Sequence, residues 1–107
     1  MWQSTHYTRY ILVEGGVKNH TTARFRNIAG PQIRKFREYR GWSQATLAAK
    51  CQVEGWDITR DVVATIENRV RWIGDFELVL LARILGVPLI DLLPDRVNWG
   101  EMNSAMR

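Results

Sequence analysis

The chain has 107 residues, 46% of them hydrophobic, with 15 basic and 11 acidic side chains and a formal net charge of +4. That length accommodates one domain with a modest core. No apolar run approaches the ~20 residues of a membrane span, and the patch at 10–13 is too short for a secretory signal, so a soluble cytoplasmic protein is expected.

Cys51 is the single cysteine. It can form no internal disulfide, lacks partners at metal-ligand spacing, and is expected to pack as a small apolar residue. No metal or cofactor is implied. His6 and His20 lie in the N-terminal arm, Cys51 has no paired base, and there is no phosphate loop, so the residues do not describe an enzyme.

The distribution of charge says more than its sum. Residues 1–29 carry four basic and one acidic residue, residues 30–95 nine of each, and residues 96–107 two basic and one acidic. Within the middle segment Arg34, Lys35, Arg37 and Arg40 come early, while Asp75, Glu77, Asp91 and Asp95 come late. A basic and an acidic face are expected, and a nucleic-acid partner fits if the basic face docks.

Residues 5–13 and 17–25 are rich in Thr, Val and aromatics, with Gly15 and Gly16 between them. A hairpin turning at the glycine pair and a disordered arm both fit. The arm, residues 1–29, holds Arg9, Lys18, Arg24 and Arg26 beside Tyr7, Tyr10 and Phe25, a composition able to trail over DNA phosphates.

Gly30 and Pro31 open the folded part. Proline suits a first helical turn, where its missing amide has no helical partner. Ile33, Phe36, Arg37 and Arg40 follow at helical spacing and Gly41 stops the run, predicting a helix over 31–40 with Ile33 and Phe36 in the core. Ser43 caps a second helix over 44–52, with Leu47, Ala48 and Cys51 inward and Trp42 stapled against Leu47. A connection through Gly55 leads to a third, short helix. There Thr59 can cap, and Val63 and Ile66, three apart, share an inward face. Arg60, Asp61, Ala64 and Thr65 are left on the other side.

After a basic, aromatic loop at 69–73, in which Trp72 is expected to cover the edge of the core, the alternative being that it lies along the sugar-phosphate chain of DNA, Leu78, Leu81, Ala82 and Leu85 mark a fourth helix over 75–85. Asp75 and Glu77 favour its positive N-terminal end, and Gly86 ends it. A short fifth helix is expected from Pro88 to Leu93, with Pro94 as its stop. The tail, 96–107, has no stable pattern, although Trp99 and Met102 are able to pack on a partner.

Three stretches, IRKFREYRGWSQATLAAKC, ITRDVVATIENR and ELVLLARILGVPLIDLL, stand in the order and spacing of the Cro/phage-repressor (XRE-like) helix-turn-helix family, which residues 30–95 resemble. The resemblance implies an all-α, five-helix, lambda-repressor-like domain whose second and third helices form the reading unit. It implies base reading by Arg60, Asp61, Ala64 and Thr65, and phosphate binding by Gln44, Asn68, Arg69 and Arg71. Arg37 and Glu67 match a structural ion pair tying helix one to the recognition helix. Two features depart from the family pattern. The connection at 52–57 is longer by about five residues, absorbed by a longer helix two or an outward loop. Arg69 also stands where glycine is frequent, which requires left-handed backbone there or a different loop.

The expected function is a sequence-specific double-stranded DNA-binding transcriptional regulator, a repressor, reading the major groove with the helix near 60–68. The alternative is an antitoxin or adaptor on the same fold, with a toxin or other protein as partner. A homodimer joined through helix five or the tail would match two half-sites one helical turn apart.

Overall fold

The computed structural model describes residues 25–100. The expected hairpin or arm over 1–24 and the end of the tail, 101–107, lie outside the described residues. Four α-helices follow in order: α1 (Gly30–Tyr39), α2 (Gln44–Val53), α3 (Arg60–Glu67) and α4 (Asp75–Leu85), then a 3-10 turn at Leu89–Leu92. The domain is all-α, as the hydrophobic periodicity requires.

Each boundary has a local cause. The Ser43 hydroxyl accepts the Thr46 amide and the Thr59 hydroxyl accepts the Val62 amide, so α2 and α3 both start on a side-chain cap. Gly74 begins α4 without a side chain, and Glu77 reaches back to accept its amide at 3.0 Å, the reciprocal half of a capping box. Gly86 closes α4 in left-handed geometry. The expected fifth helix is instead a single 3-10 turn of four residues. Pro88 and Pro94 leave too little chain between them for α-helical hydrogen bonding to establish itself.

The core is small and closed. Ile33 of α1, Leu47 and Cys51 of α2, Leu81 and Leu85 of α4 and Leu92 of the 3-10 turn are almost fully buried. Fully burying one such aliphatic side chain is worth ~1.5–3 kcal/mol. Helix α2 packs chiefly on α3, and α1 lies across α3, α4 and the 3-10 turn. Ala48, small and buried, lets the α2 backbone approach closely. Trp42 is partly buried against the core, with the Lys50 ammonium 4.4 Å from its ring centroid.

Two further places differ from the sequence-based expectation. The folded body begins before Gly30: Ala29 is buried, and the segment 25–29 is hydrogen-bonded to the end of α3 and the loop beyond it. Trp72 does not cover the core but is 53% exposed. The loop it occupies is held by the Arg71–Glu77 pair rather than by apolar packing of the indole.

Candidate nucleic-acid interface

Helix α3 is short, and its orientation is fixed from beneath. Val63 and Ile66 are each 1% exposed and anchor it to the core. Beside them, the carboxylate of Glu67 is also buried. Arg37 donates to both of its oxygens, at 2.6 and 3.0 Å, and Gln44 donates to one of them at 3.0 Å. Arg37 also donates to the Trp42 carbonyl at 2.7 Å. One carboxylate thus joins α1, α2 and α3. The hydrogen bonds to Glu67 hold the Arg37 guanidinium above its usual pKa, so the guanidinium stays charged.

The C-terminal end of α3 is closed by a Schellman motif. The Arg69 amide donates to Ile66, and the Val70 amide to Thr65. Arg69 itself is left-handed, with φ 68°, so the first of the two solutions open to this position is the one adopted. A non-glycine residue there costs ~1–2 kcal/mol. Offsetting contacts come from the N-terminal segment: the Arg69 guanidinium lies 4.0 Å over the Phe25 ring, and its Nε donates to the Asn27 carbonyl at 3.0 Å.

Asn27 ties this end together. Its amide nitrogen donates to the carbonyls of Ile66 and Arg71, at 3.1 and 2.9 Å, while its oxygen accepts the Gly30 amide at 2.8 Å. Gly30 passes so close to α3 that a Cβ would meet the Ile66 carbonyl oxygen and stand 2.8 Å from that of Glu67. Sequence reading missed Asn27 and Phe25. The available signal was a helix-start residue, Asn27, three positions ahead of the glycine-proline pair.

The outward flank of α3 carries Arg60, Asp61, Ala64, Thr65 and, as the C-cap, Asn68. Arg60 and Asp61 are exposed and meet each other at 3.2 Å. Ala64 and Thr65 are half-buried. The Thr65 hydroxyl donates to the Val62 carbonyl at 2.7 Å, leaving its methyl group and lone pairs for a partner. Asn68 is exposed. Arg71 turns toward the protein: it meets Glu77 at 2.9 and 3.2 Å and donates to the Trp72 carbonyl. That pairing raises the pKa of Arg71 and lowers that of Glu77.

The lengthened connection is absorbed in both expected ways. Helix α2 runs on to Val53, and residues 54–59 then loop outward through Gly55, at φ 95°. Ile58 turns back into the core, and Gln52 donates to its carbonyl. Helices α2 and α3 therefore still pack directly on each other.

Two capped helices joined by a loop, with the second wedged over a buried ion pair and its polar flank outward, form a helix-turn-helix. A profile of the helix-turn-helix family HTH_3, of Cro/C1 type, matches residues 33–92. The chain belongs to the helix-turn-helix family. Among solved structures, a hypothetical transcription factor NHTF from Neisseria is similar, with a TM-score of 0.55 and 25% identity over 78% of this chain and 87% of that one. The DNA-binding domain of BldD is similar as well, with a TM-score of 0.51 and 26% identity over 65% of this chain and 94% of that one. No curated protein sequence matches the chain. Family and fold are those of DNA-binding transcription regulators. Among the described residues, no helix is long and apolar enough to cross a membrane.

Proposed function

We propose that this helix-turn-helix protein is a sequence-specific repressor that lays α3 in the major groove of duplex DNA. The observation that carries the reading is the one-sided burial of α3. Val63, Ile66 and Glu67 are buried beneath it, and Arg60, Asp61, Ala64, Thr65 and Asn68 form one outward stripe. A rigid helix with an uncommitted polar flank is what base reading needs.

Arg60 forks onto guanine O6 and N7, a contact worth ~1–3 kcal/mol of discrimination. It leaves only an exposed pair with Asp61, whose loss costs little. Asp61 then accepts from cytosine N4 and repels wrong bases. Ala64 gives close approach. Thr65, its proton already donated to Val62, offers its methyl to thymine or a lone pair to a base amino group. A phosphate, which only accepts, is the poorer partner for it. Asn68 and the second amide hydrogen of Gln44 bind phosphates and set register. Arg69 and Arg71 hold the loop in place and add positive potential at the DNA backbone.

Two copies on a two-fold operator complete the reading. Leu89, Ile90 and Trp99 are exposed apolar side chains near the C-terminal end, suited to joining the copies. The test is selection from a random duplex pool by the whole protein. Enrichment of one motif, bound less tightly as salt rises, is expected. Failure to enrich any sequence, with no duplex binding at low salt, overturns the reading.

A further inference from the structure

The two arginines that the family resemblance assigns to phosphates beyond α3 are engaged within the protein: Arg69 with Phe25 and Asn27, and Arg71 with Glu77. Beside them an open depression is lined by Arg26, Thr65, Val70, Arg71 and Trp72. It is continuous with the reading flank of α3 through Thr65, and among the described residues no carboxylate lines it.

Arg26 is built into this place. Its backbone amide donates to the Arg69 carbonyl at 2.7 Å, and the next residue, Asn27, is bonded to α3 and to the loop. Its side chain is exposed, with the guanidinium 5.7 Å from the Trp72 ring centroid. Trp72 and Val70 are 53% and 51% exposed. An indole offers an apolar face and one N–H donor, and a deoxyribose-phosphate unit offers an apolar sugar edge and an anionic acceptor.

We propose that Arg26 and Trp72 form a backbone clamp flanking the C-terminal end of α3. Arg26 contacts a phosphate and Trp72 covers the adjoining sugar. The segment before α1 is thereby part of the DNA interface, and the phosphate contact is supplied by a residue, Arg26, outside the 33–92 family match. The clamp rests on the proposed docking of α3 in DNA. Its occupant is the duplex backbone, favoured over a protein segment by the cation, by a lining without a carboxylate among the described residues and by continuity with the reading flank.

The test uses the whole protein and the duplex it selects, titrated across a salt series with Arg26→Ala, Arg26→Lys and Trp72→Ala. Arg26→Ala is expected to weaken all sequences alike and to flatten the slope of log K against log salt by ~0.9, the loss of one phosphate contact. Arg26→Lys restores that slope. Trp72→Ala weakens binding severalfold with the slope unchanged. The Arg26 side chain is exposed, and its structural bond is made by its backbone amide, so these variants should melt with the parent. If Arg26→Ala keeps the parent affinity and slope while Arg60→Ala still changes base preference, the clamp is wrong and the reading by α3 stands. If the parent binds no duplex, both fail.

Discussion

The inner and outer flanks of α3 carry the same chemistry in opposite surroundings. Glu67 meets Arg37 with side chains 1% and 9% exposed, whereas Asp61 meets Arg60 with side chains 89% and 65% exposed. In low dielectric the inner pair is strong, and removing either partner leaves an unmatched buried charge. In water the outer pair is worth at most ~1 kcal/mol and can be exchanged for a base edge. The inner pair therefore belongs to stability, and the outer one is assigned to recognition only under the proposed function.

The largest expected effect lies on the inner flank. Glu67→Ala or Arg37→Ala should lower unfolding stability by ~3–5 kcal/mol, measured by urea denaturation, while Asp61→Ala should stay within ~0.5 kcal/mol of the parent. Equal losses on the two flanks would erase the distinction.

Gly30→Ala comes next. The added methyl meets the carbonyls that end α3, and such overpacking costs ~1–3 kcal/mol. The displacement should reach DNA affinity as well, because it moves the helix proposed to read bases. A neutral result would show that α1 and α3 part easily.

A smaller effect concerns pH. Glu77 is held below the ordinary carboxylate value of 4.5, chiefly by its bond with Arg71. Its folded pKa is depressed, so the stability it contributes is present above about 4.5 and is lost as pH falls through the lower folded value. Glu77→Gln should flatten that part of the acid-unfolding curve. An unchanged acid limb would mean the pair does not hold the loop in solution.

The smallest perturbation is a label. Burial pushes the Cys51 thiol up to about 11. At pH 8 its alkylation should track global unfolding and be slowed by whatever stabilises the fold. Fast labelling of the native protein would place the opening of α2 ahead of the rest.

The helices were legible because α2, α3 and α4 announce themselves twice, by an apolar stripe and by a boundary residue, and α1 by its stripe and the proline in its first turn. Ser43, Thr59 and Gly86 mark ends that the periodicity of Leu47, Val63, Leu81 and Leu85 brackets. The Arg37–Glu67 contact entered through family resemblance; partners 30 positions apart leave no local trace. Tertiary contacts without periodicity were illegible. Asn27 acts through backbone carbonyls of Ile66 and Arg71, which carry no side-chain signature, so the segment before Gly30 read as an arm. Trp72 followed the usual expectation that indoles are largely buried, and nothing local announced that Arg71 and Glu77 would hold its loop instead. The 3-10 turn at Leu89–Leu92 shares the apolar spacing of an α-helix, and only the two prolines hinted at its length.

The central claim is that α3 reads bases with its outer flank while the inner flank holds it still. Base-preference profiles of the parent and Arg60→Ala, measured side by side on a randomised duplex pool, test it most directly. The account predicts that Arg60→Ala loses preference at one base pair per half-site, by about 5- to 150-fold for a lost guanine contact, and keeps the rest. A uniform weakening with an unchanged profile would contradict it.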